Sequence, residues 1–342
     1  MLDFASRLIA WQRQHGRHDL PWQNTRDPYR IWISEIMLQQ TQVATVIPYY
    51  QRFMTHFPSI ASLAAADEDG VLRHWSGLGY YARARNLHAA ARQIVARHQG
   101  VFPDAVAAIA ALPGIGPSTA AAIAAFAFGA RGAILDGNVK RVLARCFGIE
   151  GFTGDKAVEA KLWALAESLL PDDEIERYTQ GLMDLGATLC MRAQPRCADC
   201  PLSEQCVARR DDRIAQLPTP KLKKTIPERE TVMLILRRGN EVLLEKRPAQ
   251  GIWGGLWSFP EVAPEAVLNR HLQTHFGVQA SLVAPLSPLV HTFTHFRLTI
   301  RPLVVWVSKP DALHPGTMWL DRFDAHDAAL PTPARRLLDL LD

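Results

Sequence analysis

Up to about Arg210, apolar residues recur at helical spacing in stretches cut by short Gly and Pro breaks. This pattern predicts helices over 3–14, 29–56, 81–98, 105–111, 118–128, 139–147, 157–170 and 174–190. Residues 213–229 carry three prolines and five basic side chains with little periodicity, and read as a linker. Beyond them the spacing shortens to that of strands. Strands are predicted over 231–236 and 241–246, about the hairpin signal Arg237-Arg238-Gly239-Asn240. An amphipathic helix is expected around 265–276, and further strands near 296–307. The chain therefore divides into an all-α domain over 1–212, the linker, and an α+β domain over 230–342, with no internal repeat or low-complexity tract.

At 342 residues the chain is long enough for two domains, and 48% hydrophobic with 21% charged residues is ordinary for a globular protein. No apolar run reaches the roughly 18 to 20 residues that a membrane helix requires. The Ala-rich stretch 105–128 comes nearest, but Pro113, Gly114, Gly116 and Pro117 interrupt it. The opening Met-Leu-Asp-Phe has no basic region followed by an apolar core, so a cytoplasmic protein is expected. Net charge says little about partners. Residues 1–212 hold 22 basic and 22 acidic side chains, and the remaining 16 against 12 supply the whole +4. Binding to nucleic acid would have to rest on local placement of charge.

Of five cysteines, Cys190, Cys197, Cys200 and Cys206 fall in one window with the spacing Cys-x6-Cys-x2-Cys-x5-Cys. Four thiolates held this closely can wrap one metal centre, and the x2 step lets two of them share a face of it. Disulfides do not suit a reducing compartment. Structural zinc stays open beside an iron–sulfur cluster, although zinc sites more often pair two Cys-x2–4-Cys knuckles and here there is one. Cys146, in Val-Leu-Ala-Arg-Cys-Phe-Gly, reads as a core thiol.

Upstream, Leu112-Pro113-Gly114-Ile115-Gly116 forms a tight turn between two predicted helices, with Pro117 well suited to the first position of the second. Gly114 and Gly116 permit left-handed dihedrals and leave backbone N–H groups bare, as a phosphate-binding helix start requires. A plain helix corner is the other reading, and the flanking alanines tilt toward a close helix-hairpin-helix. Two carboxylates also stand out. Glu35 lies in the apolar run Ile31-Trp32-Ile33-Ser34-Glu35-Ile36-Met37-Leu38, where desolvation would raise its pKa and let it act as an acid. Asp136, in Leu135-Asp136-Gly137-Asn138-Val139, is placed to cap a helix, and a capping carboxylate held by amides stays ionised. One raised acid and one ionised carboxylate make the pair used to break glycosidic bonds.

The hairpin, Asp136 some twenty residues later and the cysteine loop together resemble the endonuclease III, or helix-hairpin-helix, superfamily of DNA glycosylases. Ser34-Glu35-Ile36-Met37-Leu38-Gln39-Gln40-Thr41-Gln42-Val43, Gly77-Leu78-Gly79-Tyr80-Tyr81-Ala82-Arg83-Ala84-Arg85-Asn86 and Leu135-Asp136-Gly137-Asn138-Val139-Lys140-Arg141-Val142 are similar to its bacterial adenine-specific branch. The resemblance implies one 4Fe-4S cluster on Cys190, Cys197, Cys200 and Cys206, and excision of adenine paired with 8-oxoguanine or guanine in double-stranded DNA by a monomeric, nucleoid-associated enzyme. Glu35 would protonate the flipped adenine, Asp136 would stabilise the sugar cation, and Asn138 would orient Asp136 or the water. Trp22 and Gln180 would meet the adenine, while Gln40, Thr41, Leu78 and Tyr80 would enter the duplex. Gly114, Gly116 and Lys140 would touch the DNA backbone, the neighbouring Arg141 and Arg145 making phosphate contact the role expected of Lys140.

Strand-cleaving members carry a lysine nucleophile where this chain has Ser118, so the resemblance implies a monofunctional glycosylase in which Ser118 joins the active-site network. The C-terminal domain resembles a Nudix fold. The magnesium-binding glutamates of Nudix hydrolases are missing from Asn269-Arg270-His271-Leu272-Gln273-Thr274-His275, so nucleotide hydrolysis is not expected. By resemblance, Phe293-Thr294-His295 would instead recognise 8-oxoguanine, with threonine where the family usually has serine. The rivals are a glycosylase that also cleaves the strand and a non-catalytic DNA-binding iron–sulfur scaffold.

Overall fold

The computed structural model describes residues 3–221, 225–307 and 314–341; positions 222–224 of the predicted linker lie outside them. Its contacts divide the chain into two compact units, Met1–Ala65 with Asn86–Lys223, and Ala66–Arg85 with Lys224–Asp342.

The first unit is helical. It contains α1 (Phe4–His15), α2 (Pro28–Leu38), α3 (Val43–His56) and α4 (Ile60–Ala65). After α5 (Glu68–Trp75) and α6 (Ala82–His98) come α7 (Val106–Ala110), α8 (Pro117–Phe128), α9 (Gly137–Phe147), α10 (Lys156–Ser168), α11 (Ile175–Thr188) and the short α12 (Val207–Arg210). Five helix starts follow local chemistry. The carboxylates of Asp3, Asp27, Asp67 and Asp136 each accept a backbone N–H of the first turn, and Pro28 and Pro117 occupy first-turn positions. The core gathers Leu8 from α1, Val139 and Leu143 from α9, Leu162 from α10, and Leu182 and Leu185 from α11, all essentially without exposure.

The helix predicted over 29–56 is two helices. It breaks after Leu38, where Gln40 takes φ 57, and restarts at Val43. Neither Gly nor Pro marks this break. Between α7 and α8, Gly114 takes φ 78, and a Cβ there would come within 2.7 Å of Asn86 Cβ. Gly116 does not need the left-handed freedom expected of it: as N-cap of α8 it has φ −87 and ψ 170, open to any residue.

Among the described residues, the second unit is built on an eight-stranded mixed sheet. Its strands are β1 (Glu228–Arg238), β2 (Glu241–Lys246), β3 (Trp257–Ser258), β4 (Glu261–Val262), β5 (Ala280–Pro285), β6 (Leu289–Thr292), β7 (Arg297–Val307) and β8 (Thr317–Asp321). The spine runs β3-β2-β1-β7-β5, with β1 and β7 parallel from Glu228↔Arg297 to Arg237↔Trp306. Gly239, at φ 59, makes the tight hairpin to β2. Among the described residues this part of the chain also carries three helices, α13 (Leu268–Phe276) between β4 and β5, and α14 (Arg322–Ala325) and α15 (Thr332–Asp339) after β8. Leu272 and Phe276 of α13 cover Leu234, Leu236, Leu243 and Val305 of the sheet.

Residues 66–85 belong to this unit. Asp69 pairs with Lys246 and accepts Trp257 Nε1 at 3.0 Å, Ser76 Oγ donates to Leu330 O at 2.6 Å, and Arg85 reaches Gly254 O. Among the described residues no helix is long and apolar enough to cross a membrane.

The close approach of α9 and α11 depends on Gly186. A Cβ there would sit 2.5 Å from Asn138 Cβ and 3.3 Å from its Cα, with backbone among the atoms that must move. Gly186→Ala is expected to lower the unfolding free energy by about 1–3 kcal/mol, read as a lower denaturant midpoint with unchanged slope.

Candidate active site

Asp136 and its neighbours hang on two helix starts. Asp136 caps α9, its Oδ1 accepting Val139 N at 2.8 Å. One residue earlier, Leu135 N donates at 2.9 Å to Ser118 Oγ in the first turn of α8. Ser118 thus fixes the segment that delivers the carboxylate. Asn138 Oδ1 accepts Arg141 Nη2 at 2.8 Å; the same Nη2 donates to Gly186 O at 2.8 Å, and Arg141 Nε to Cys190 O at 2.7 Å. Asn138 is therefore held from below by a guanidinium that also grips the end of α11.

Glu35 comes from the last turn of α2, beside buried Ser34, Ile36 and Met37. Burial, with the charge of Asp136 as a smaller second cause, pushes its carboxyl up to about 8. At neutral pH it keeps its proton. Asp136 is also raised from its ordinary value by burial, but the Val139 and Asn138 amides and the Arg141 and Lys140 charges pull the other way. Two carboxyls that sense each other, one strongly raised and one tied to amides and cations, divide into a proton donor and an anion.

Both open into one cleft of about 1620 Å³ in the first unit. Trp22, Gln40, Thr41, Ser118, Asn138 and Gln180 line it as well. Trp22 is buried edge-on to Tyr50, ring centroids 5.4 Å apart, and so forms wall. Gln40 is exposed on the strained turn, and Thr41 Oγ1 reaches Gln39 O at 3.3 Å. Gln180 Nε2 donates to Asp184 Oδ1 at 2.8 Å, and Arg17 Nε to the same oxygen at 2.7 Å.

Two residues that hold Gln180 at this cleft were missed by the sequence reading. Asp184 and Arg17 carry no motif, although Gln180 and Asp184 stand at the i, i+4 spacing that lets helical side chains meet. Arg141 and Arg145, the neighbours that made phosphate contact the role expected of Lys140, give their own guanidiniums to internal carbonyls. Arg145 is 3% exposed and its guanidinium bonds Leu217 O, Met191 O and Arg192 O at 2.8, 2.7 and 3.1 Å. Lys140, expected at the DNA backbone, has its ammonium 2.5 Å from Glu159 Oε1.

Cys190, Cys197, Cys200 and Cys206 surround one small hollow beside Val142, Leu185 and Leu202, and none is in a disulfide. Arg145 Nη1 points to Cys190 Sγ at 3.5 Å. A hydrogen bond from Cys146 brings Cys206 down to about 6, while burial lifts Cys200 to about 11. Cys146 is thus a buried thiol with a partner. Four unoxidised sulfurs around a hollow with apolar walls and a buried cation form a donor set that suits an anionic cluster with thiolate ligands. Among the described residues, no three His, Cys, Asp or Glu side chains converge as they would on a single metal ion.

The other expected site residues belong to the second unit. Leu78 is buried, whereas Tyr80 is 47% exposed at φ 48, with the Arg83 guanidinium 5.4 Å above its ring. A core role for Tyr80 is thereby excluded. Phe293, Thr294 and His295 form the tip of the β6–β7 hairpin, closed by Phe293 N on Phe296 O at 2.9 Å. Phe293 stacks on Phe296 with centroids 4.5 Å apart, leaving Thr294 and His295 exposed.

The pattern of HhH-GPD superfamily base excision DNA repair proteins matches residues 33–168, and that of the NUDIX domain matches 231–340. The adenine DNA glycosylase of Buchnera aphidicola from Acyrthosiphon pisum is 37% identical over 339 residues, 98% of this chain and 97% of that one. The human adenine DNA glycosylase is 33% identical, covering 98% of this chain and 73% of its own. Among solved structures, a thermostable thymine-DNA glycosylase superposes with TM-score 0.54 at 31% identity, over 61% of this chain and 95% of that one. A non-covalent endonuclease III–DNA complex gives TM-score 0.52 at 20% identity over 62% and 99%, a likeness of fold. With its helical glycosylase unit, its Nudix-like sheet and relatives along nearly its whole length, this chain belongs to the adenine DNA glycosylases, enzymes of base excision DNA repair.

Proposed function

We propose that the protein hydrolyses the N-glycosidic bond of adenine mispaired with 8-oxoguanine or guanine in duplex DNA, and does not cut the strand. The observation that carries this reading is the carboxyl pair in one cleft, with Glu35 raised to about 8. A base must leave the stack to reach such a cleft, at a cost of a few kcal/mol. Glu35, protonated at neutral pH, would donate to a ring nitrogen of the flipped adenine and turn it into a leaving group. The sugar then develops positive charge, and Asp136 faces it as an anion. Asn138, clamped by Arg141, would keep Asp136 or the attacking water in place. Once deprotonated, Glu35 can take a proton from that water.

Ser118 supplies no amine, and its hydroxyl already accepts Leu135 N. The ammonium of Lys140 is engaged by Glu159. Both features support base removal without strand scission. Gly114 and Gly116 would offer amides to a phosphate at the start of α8, and Gln40, Thr41, Leu78 and Tyr80 would meet the opened duplex. The exposed Thr294 and His295 at a rigid aromatic hairpin support a recognition role for the second unit toward 8-oxoguanine. Cys190, Cys197, Cys200 and Cys206 would hold a 4Fe-4S cluster. Bound there, it would cross-link the loop and supply local charge that fixes it.

Single-turnover base release from duplexes with adenine opposite 8-oxoguanine, guanine or thymine, each with and without hot alkali, tests the reading. Breakage is expected only after alkali, and fastest opposite 8-oxoguanine. Breakage without alkali would show a lyase amine, and no release despite tight DNA binding would leave a scaffold. His295→Ala should reduce the advantage of 8-oxoguanine over guanine; an unaltered ratio removes the hairpin from recognition.

Glu35→Gln should abolish release while lesion binding persists. The wild-type rate should hold below pH 8 and fall as pH rises through about 8, because the protonated form is the active one. The same shift governs stability. The folded state keeps a proton that the unfolded chain loses near its ordinary value of 4.5, so wild-type stability declines between pH 4.5 and about 8. Denaturation curves of Glu35→Gln should accordingly gain on wild type across that window; parallel curves would contradict the buried acid. Cys200→Ser should lose iron and acid-labile sulfide together, whereas the intact protein should carry the two in equal amounts.

A further inference from the structure

Asp184 is fully buried in α11 and gathers three donors. Arg17 N reaches Oδ2 at 2.9 Å, Arg17 Nε reaches Oδ1 at 2.7 Å, and Gln180 Nε2 reaches Oδ1 at 2.8 Å. A carboxylate paired with a guanidinium can only accept hydrogen bonds. The amide of Gln180 must therefore turn its nitrogen toward Asp184. Its oxygen is the pole left for the cleft, which Gln180 lines together with Arg17, Glu35 and Asp136.

We propose that Asp184 is a specificity-positioning residue that sets the hydrogen-bond polarity of Gln180, so that the cleft accepts a purine bearing an exocyclic amine and rejects one bearing a carbonyl there. The proposal rests on Gln180 meeting the flipped base and goes beyond it by naming what fixes the amide. An amide free to rotate could present oxygen to an amine or nitrogen to a carbonyl, and would read neither. The lock removes the second option. Faced with a purine carbonyl, the oxygen of Gln180 would meet another acceptor, and two buried acceptors without a proton between them cost more than a lost hydrogen bond. Arg17 makes the lock tolerable by cancelling the charge of Asp184, which would otherwise lie buried and unpaired. The side chain of Arg17 remains 25% exposed and lines the cleft, with Asp184 behind it.

The test compares single-turnover release of adenine and of hypoxanthine, each opposite guanine in the same duplex. Hypoxanthine replaces the amine by a carbonyl at that position. In Asp184→Asn the neutral amide can donate to Gln180, whose own amide is then free to turn. The adenine-to-hypoxanthine rate ratio should fall about tenfold or more, the worth of one hydrogen bond to a charged group. Combining Asp184→Asn with Gln180→Glu puts two acceptor oxygens at position 180 whichever way it turns, with the new amide at position 184 as the donor, and should restore the ratio. If Asp184→Asn slows both bases equally and leaves the ratio intact, Asp184 is merely structural and the proposal is overturned. Should Asp184→Asn not fold, Gln180→Met keeps the Arg17–Asp184 pair and removes both poles of the amide. The ratio should then fall as well, and an unchanged ratio overturns the proposal. Release of neither base by the wild-type protein would instead overturn the glycosylase reading beneath it.

Discussion

The first unit is arranged around one costly placement, a carboxyl in an apolar helix face with its proton retained at neutral pH. Desolvating Glu35 disfavours its charged form, and that penalty is the source of its acidity at a useful pH. The same penalty is a loss of folding free energy above pH 4.5, because the unfolded chain would shed the proton. The surrounding core must therefore offset it. It does so with helices that bury Trp32, Ile33 and Met37 completely around the same turns of α2.

A second requirement is that the partner carboxylate not follow Glu35 upward to the same degree. Burial raises the carboxyl of Asp136 too, and by itself works against the ionised form that the pair needs. Capping resolves this locally, since Val139 N bonds its oxygen and Arg141 and Lys140 lend positive charge. Arg141 reaches further. By bonding Asn138, Gly186 and Cys190 together it ties the start of α9, the end of α11 and the first cysteine of the loop into one piece. Arg145, one turn on, holds Met191 and Arg192 of the same loop. The two arginines are cations committed to internal carbonyls, and the near-zero net charge of residues 1–212 includes them.

Local chemistry was legible where the residues concerned act on their own neighbourhood. Asp136 reads as an N-cap because the acceptor and its amides are three residues apart, and the cysteine loop reads as a donor set because its spacing is short. Glu35 reads as a desolvated acid from the apolar and small neighbours on either side of it. What escaped depends on distant partners. Arg141 and Arg145 look like surface cations in a helix until α11 and the cysteine loop close over them. Residues 66–85 look like part of a continuous helical domain, yet Asp69 and Ser76 find their partners at Lys246, Trp257 and Leu330. No periodicity within 66–85 carries that information, because it resides in partners 177 to 254 residues away. Asp184 escaped for a related reason: one of its two partners, Arg17, lies across the fold.

The break at Gln40 is informative in the opposite direction. Residues 29–56 have helical periodicity, no Gly and a single Pro48, and that proline lies inside α3 without ending it. The helix nevertheless stops at Leu38, and Gln40 adopts a left-handed conformation that side chains with a Cβ enter at a cost of about 1–2 kcal/mol. Tyr80 bears a similar cost at φ 48 while leaving a large aromatic ring exposed. Backbone strain carried by an exposed side chain points to a constraint outside the folded chain, and these two residues are among those that the proposed reading sends into the duplex. The break at Gln40 also ends α2 at Leu38, so that Glu35 falls in its last turn and lines the cleft. The turn that would meet the DNA and the acid that would act on the base are thus set by one backbone event.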